Sequence, residues 1–157
     1  MKVLVTGIAG FIGSTLAKSL IGNGYGYEVV GIDDYSTGFK KNVPKESIMI
    51  EGDISDSSTI NKLNKFSIDY IFHFAGQSSG EISFENPVRD LEINTKSTLL
   101  LLDFAVKNRV KRFFYASSMS VYGDNNEYVD EQCETNPRSF YGVGKLASEK
   151  YLSIYSN

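Results

Sequence analysis

Thr6-Gly7-Ile8-Ala9-Gly10-Phe11-Ile12-Gly13 is the stretch that decides the fold. Just upstream, Lys2-Val3-Leu4-Val5 is a short apolar run of the kind found in strands buried on both faces. Just downstream, Phe11–Gly22 carries a helical pattern. Glycine between a strand and a helix lets an anionic group approach backbone N–H groups at the positive helix end, where side chains would block it. The spacing is G-x-x-G-x-x-G, one residue longer in its first gap than the common dinucleotide fingerprint. Its place in the chain points to a dinucleotide pyrophosphate held by Gly7, Gly10, Phe11, Ile12 and Gly13.

Outward from this loop, the pattern repeats. Apolar runs at Lys2–Thr6, Glu28–Asp33, 47–51, 70–75 and 112–117 have strand length and little polar alternation. Helical patterns lie between or after them at Phe11–Gly22, 56–66, 88–107 and Phe140–Tyr155. In the third, Leu91, Thr95, Thr98, Leu102 and Ala105 recur at three or four residues, with Arg89, Glu92 and Lys96 facing elsewhere. Strand–helix alternation of this length predicts an α/β protein with a doubly wound parallel sheet, a Rossmann fold, over residues 1–157 as one domain. Loops are expected at 35–46, around Ser36-Thr37-Gly38 and Pro44, and at 123–137, with Asn125, Asn126 and the acids Asp130, Glu131 and Glu134.

Composition narrows the function classes. The chain has 157 residues, 41% of them hydrophobic and 22% charged, enough for one domain with a core that needs no disulfide or metal. Sixteen Lys and Arg against nineteen Asp and Glu give a net charge of −3, which offers no footprint for nucleic acid or an anionic membrane surface. A single cysteine, Cys133, cannot form an internal disulfide, no Cys/His cluster has metal-ligand spacing, and one histidine, His73, excludes mechanisms that need two. No apolar run approaches a membrane span or a signal-peptide core, so the expectation is a soluble, cytoplasmic protein.

Asp33 closes the second strand, 20 residues beyond Gly13, where a carboxylate can accept both adenosine ribose hydroxyls and would repel a 2′-phosphate. No arginine follows closely, which favours NAD over NADP, although Lys40 and Lys41 are able to pair with a phosphate. Gly52-Asp53-Ile54 ends the third strand; it suits a contact with the adenine edge, and Asp53 equally suits the start of a helix. Later, Tyr141 and Lys145 stand four residues apart, hence on one helical face. A phenol ionises only near pH 10, and a neighbouring ammonium favours the phenolate that proton transfer needs. Ala116-Ser117-Ser118-Met119-Ser120-Val121-Tyr122-Gly123 sets hydroxyls at a strand end, where one can hydrogen-bond a sugar hydroxyl. His73, at the end of the fourth strand, reads as a hydrogen-bonded structural residue ahead of a catalytic one.

Taken in order, these motifs resemble the amino-terminal part of an extended short-chain dehydrogenase/reductase, in the NAD-dependent epimerase/dehydratase group that acts on nucleotide sugars. The resemblance runs through Asp33-Asp34-Tyr35-Ser36-Thr37-Gly38, Gly52-Asp53-Ile54, His73-Phe74-Ala75-Gly76, Pro87 to Asn94, Ser117 to Gly123 and Tyr141 to Lys145. It implies that Tyr141 transfers the proton, that Lys145 binds the nicotinamide ribose and tunes Tyr141, and that Ser118 orients the substrate, with Ser117 and Ser120 as stand-ins. It also implies cofactor contacts at Phe74, Ala75, Gly76, Tyr141 and Lys145, and a hydrogen bond from Asn94 that anchors the strand-end loop. Sugar 4,6-dehydratases of this group carry an Asp-Glu pair where this chain has Met119 and Ser120, neither able to serve in eliminating water. The chain is more similar to UDP-glucose 4-epimerases, though some of those carry a lysine where Ser78 stands.

The resemblance further implies later strands and a carboxyl-terminal lobe that grips the nucleotide, so the 157 residues are expected to be an incomplete cofactor half with an open sheet edge. A homodimer through the 88–107 and 140–155 helices is implied as well. Two other functions are open at this point: a nucleotide-sugar reductase or dehydrogenase with net redox turnover, and a non-catalytic NAD-binding domain.

Overall fold

The computed structural model describes residues 1–124 and 128–156; Asn125 and Asn126 of the polar loop lie outside the described residues. In chain order the elements are β1 (Lys2–Thr6), α1 (Phe11–Gly22), β2 (Glu28–Asp33), β3 (Ile48–Glu51), α2 (Ser57–Asn61), β4 (Tyr70–His73), α3 (Gly80–Glu85), α4 (Pro87–Leu91), α5 (Ser97–Lys107), β5 (Arg112–Tyr115) and α6 (Phe140–Tyr155). They pack as two compact units, residues 1–75 with 100–116, and residues 76–99 with 117–157.

The first unit holds a five-stranded sheet in the order β3-β2-β1-β4-β5, with every pair parallel. Strand alternation sends Leu4, Val30, Ile32, Ile50 and Ile71 to one face, where Ile60, Leu63, Leu101 and Phe104 cover them. Val3, Val5 and Val29 point to the other face, against Ala17, Leu16 and Leu20 of α1. Both faces are therefore covered, as a doubly wound parallel sheet requires. At about 25 cal/mol per Å² of apolar area, fully burying each such aliphatic side chain contributes roughly 1.5–3 kcal/mol before chain entropy is charged against it. Gly31 leaves room for Ile8 and Met49, since a Cβ there would stand 2.6 Å from Ile8 Cδ1.

The second unit has a different interior. Its buried residues include Ser83, Asp90, Asn94, Thr95, Ser97, Thr98, Lys145 and Ser148, whereas Val121 and Tyr141 are the buried apolar or aromatic ones among the described residues. Here α6 packs on α3, α4, the 92–96 segment and a 3₁₀ turn at Met119–Val121.

Several boundaries depart from the expectations. Strands predicted at 47–51, 70–75 and 112–117 are shorter, and the 56–66 helix is α2 followed by a 3₁₀ turn at Lys62–Lys65. The single helix expected at 88–107 is α4, a π-helical segment at Glu92–Lys96, and α5. Hydroxyls stabilise the irregular stretch: Ser97 Oγ donates to the Ile93 carbonyl, and Thr98 Oγ1 and Ser148 Oγ donate to the Asn94 carbonyl at 3.0 and 2.9 Å. Helix α3 was not expected; Ser79 caps it by accepting from the Ile82 N–H.

Candidate cofactor and proton-transfer site

The glycine loop in the first unit is shaped by backbone approach. Gly7 has φ +68°, and a Cβ on it would lie 2.8 Å from the Ala75 nitrogen. A Cβ on Gly13 would lie 2.2 Å from the Gly7 carbonyl oxygen, so only glycine lets α1 start this close to β1. Gly10 caps α1 without a side-chain hydrogen bond, and the first turn carries no acidic residue. The side chains of Phe11 and Ile12 are exposed, at 85% and 59%. What this end of α1 offers is thus positive backbone with no carboxylate competing for it, which suits a pyrophosphate.

Asp33 is buried and fixed: Oδ2 accepts the Ala9 N–H at 2.8 Å and Oδ1 the Tyr35 N–H at 2.8 Å. Each oxygen keeps lone-pair capacity for a ribose hydroxyl. The Ala9 carbonyl accepts from the Phe39 N–H and from Asn42 Nδ2, tying the 35–46 loop to the glycine loop. Lys40 pairs with Glu51 at 2.9 Å and lies 4.7 Å from the Tyr35 ring centroid, and the Glu51 carboxylate raises its pKa. That pairing leaves Lys40 less suited to a 2′-phosphate and agrees with NAD.

The remaining first-unit candidates divide between contact and scaffold. Asp53 Oδ1 accepts from the Ser55 N–H and hydroxyl, while the cap of α2 is Asp56, accepting from the Ser58 N–H at 2.8 Å. Asp53 therefore shapes the approach to the helix without capping it. Ile54 is buried in the core of the first unit. Phe74 packs beside the Val3–Val5 face, and the Ala75 N–H donates to Thr6 Oγ1 at 3.1 Å. His73 Nδ1 lies 2.7 Å from Thr6 Oγ1 and the ring packs edge-on to Phe113, the surroundings of a structural histidine.

In the second unit, Ser139 caps α6 by accepting the Gly142 N–H at 3.0 Å. Gly142 allows the serine turn to close on the helix, because a Cβ there would lie 2.6 Å from the Ser120 carbonyl oxygen. Tyr141 and Lys145 follow on one face, both buried, with Nζ 5.7 Å from the phenol ring centroid. Burial pushes the Lys145 amine down to about 8, and the Asp90 charge opposes that shift. Ser118 Oγ donates to Ser120 Oγ at 3.2 Å, whereas Ser117 Oγ donates to Glu149. The structure thus engages Ser117 elsewhere and leaves Ser118 and Ser120 as a coupled pair.

Asn94 does not anchor the strand-end loop directly. Its Nδ2 donates to Asp90 Oδ1 at 3.0 Å, and Gln77, in the loop after β4, donates to the same oxygen at 3.0 Å. Asp90 thus anchors the loop after β4, and sequence reasoning passed over it because an acid at a helical spacing reads as a solvated face. Gly76 lies against the pair, with Asn94 Oδ1 2.6 Å and Lys145 Nζ 3.6 Å from where its Cβ would be. Among the described residues no cluster of His, Cys, Asp and Glu is gathered to hold a metal ion, and no helix is long and apolar enough to cross a membrane.

Comparison with known proteins finds relatives along nearly the whole chain. The model of the NAD dependent epimerase/dehydratase family matches residues 3–157. A UDP-glucose 4-epimerase of Mycolicibacterium smegmatis is 38% identical over 164 aligned positions, covering 100% of this chain and 52% of that protein. The crystal structure of a Thermotoga maritima UDP-glucose 4-epimerase with UDP-glucose matches with a TM-score of 0.94 and 35% identity, over 99% of this chain and 51% of that one. A Thermus thermophilus UDP-glucose 4-epimerase in complex with NAD matches with a TM-score of 0.92 and 35% identity, over 99% and 51% of the two chains. The chain spans about half the length of the relatives it matches.

Proposed function

The chain belongs to the NAD dependent epimerase/dehydratase family, and from that premise we propose that it forms the cofactor-binding and proton-transfer half of a nucleotide-sugar 4-epimerase of the UDP-glucose type. The observation that carries the reading is the Tyr141–Lys145 pair, buried on one face of α6 with 5.7 Å between amine and ring. Phe11, Ile12 and Gly13 would present backbone N–H groups to the pyrophosphate, while Gly7 and Gly10, whose own N–H groups are donated to the Ile32 and Gly7 carbonyls, would shape the loop against it, and Asp33 would accept the adenosine ribose hydroxyls. Asp53, Ile54, Phe74, Ala75 and Gly76 complete the cofactor contacts. When bound, NAD supplies a place for a hydride to go and from which it returns.

Tyr141, as phenolate, takes the proton of the sugar C4 hydroxyl while the C4 hydride leaves, so that the carbon becomes a ketone. Lys145 holds the nicotinamide ribose and stabilises the phenolate by its charge. Ser118 donates to the reacting oxygen and fixes its orientation. After the keto sugar turns, Tyr141 returns the proton as hydride re-enters C4 on the other face, and no net redox change occurs. Homodimerisation through the 88–107 and 140–155 stretches belongs to the same reading.

Tyr141→Phe in the intact protein carrying these residues tests the assignment. The expected rate of UDP-glucose epimerisation falls at least about 100-fold, the lower end for loss of a general acid–base group, with bound NAD retained. An unchanged rate removes Tyr141 from the mechanism. Net build-up of free NADH during turnover would replace the epimerase with a dehydrogenase.

A further inference from the structure

Asp90 is only 2% exposed, far from the usual setting of a carboxylate. Its Oδ1 accepts from Gln77 Nε2 and Asn94 Nδ2, both at 3.0 Å. Its Oδ2 is buried and has no hydrogen-bond partner among the described residues. This second oxygen lies against α6, 3.7 Å from where a Cβ on Gly144 would stand, and Gly144 is the residue before Lys145. Any side chain at Gly144 would also meet Thr95 Oγ1 at 3.0 Å, so the glycine permits α4, the 92–96 segment and α6 to come together.

We propose that Asp90 is a positioning residue for proton transfer: its carboxylate, clamped by Gln77 and Asn94, is the buried countercharge that keeps the Lys145 side chain an ammonium. The inference rests on the reading of Tyr141 and Lys145 as the reacting pair. An ammonium taken out of water is costly unless an opposite charge lies near. Among the described residues, Asp90, from α4, acts on Lys145 by its charge, and the Tyr141 ring centroid, on the same helix, lies 5.7 Å from Nζ. The 92–96 segment presents Asn94 and Thr95, neither of which ionises.

Burial holds the Asp90 carboxyl above the usual carboxylate range, and the Asn94 and Gln77 hydrogen bonds and the Lys145 charge oppose that shift in part, favouring the ionised form. Removing the acid therefore lowers the pH at which Lys145 loses its proton, and with it the alkaline limit of the active protonation state.

The test is a pH titration of the Lys145 ε-methylene by carbon-13 NMR, with the signal identified by its loss in Lys145→Arg, set beside the pH–rate profile of the intact protein. With Asp90 present the midpoint is expected near 8. Asp90→Asn is expected to lower it by about one pH unit and to move the alkaline limb of the rate profile down with it, while Asp90→Glu restores both. An unmoved midpoint, including one accompanied by an even loss of rate at every pH, overturns the proposal. If Asp90→Asn fails to fold, Gln77→Leu removes one clamp; a smaller downward shift supports the countercharge and no shift overturns it. A Tyr141→Phe protein with undiminished rate would end the functional reading, and the Lys145 titration would still decide the countercharge separately.

Discussion

The two units are built from opposite materials. In the first, Leu4, Val30, Ile32 and Ile71 and their neighbours fill both sides of a parallel sheet, and glycines at 7 and 13 let the start of α1 approach the strand ends closely. In the second, the buried set is Asp90, Asn94, Thr95, Ser97, Thr98, Lys145 and Ser148, joined by hydrogen bonds and charge. A region of the first kind gains stability from area and is tolerant of where its charges lie. One of the second kind has little apolar area to lose, and its geometry holds only while each polar group keeps its partner. Under the proposed function, most cofactor contacts belong with the first, and proton transfer, with the contacts of Gly76 and Lys145, belongs with the second.

That division predicts separable mutant effects. Tyr141→Phe, the largest on rate at about 100-fold or more, should leave NAD affinity within a few-fold by calorimetric titration; a comparable loss of NAD would break the separation. Leu4→Ala, at a fully buried core position, should cost about 2–5 kcal/mol in denaturant unfolding. Gly13→Ala forces a Cβ to within 2.2 Å of a carbonyl oxygen that cannot step aside. It should cost about 1–3 kcal/mol of stability and weaken NAD binding at least about tenfold.

Smaller effects sharpen the contrast. Ser139→Ala removes the cap of α6 and should cost about 1 kcal/mol, read as faster amide exchange at the start of that helix. Native-state exchange should also show β1, β2 and β4 opening only with global unfolding, and α3 and α4 opening below that threshold. Equal protection in the two groups would contradict a polar, locally held second unit.

Where repetition and backbone chemistry speak, the sequence is informative. Lys2–Thr6, Glu28–Asp33, Phe11–Gly22 and Phe140–Tyr155 occupy the bounds their patterns predict, because continuous apolar runs and helical spacing are local signals. The 88–107 stretch was illegible as built. Thr95 and Thr98 fit a helical face, and nothing in spacing alone reveals that their hydroxyls accompany a π-helical break. Gly7 and Gly13 announce themselves by position, whereas Gly144 matters only through Thr95 and Asp90, neighbours about 50 residues away in the chain. Asp90 was invisible for the same reason: burial of an acid depends on partners that only the fold assembles. Tyr141 and Lys145 were legible as a pair because one helix carries both.

The proposed cycle oxidises a sugar and reduces it again without release of the cofactor. Rapid mixing of the intact NAD-bound protein with UDP-glucose, followed by the near-ultraviolet absorbance of reduced nicotinamide, measures this directly. The expected result is absorbance that rises and falls on the protein while the C4 epimer accumulates and free NADH does not. A protein that binds NAD and forms no reduced nicotinamide, or that releases it in step with product, would contradict the account.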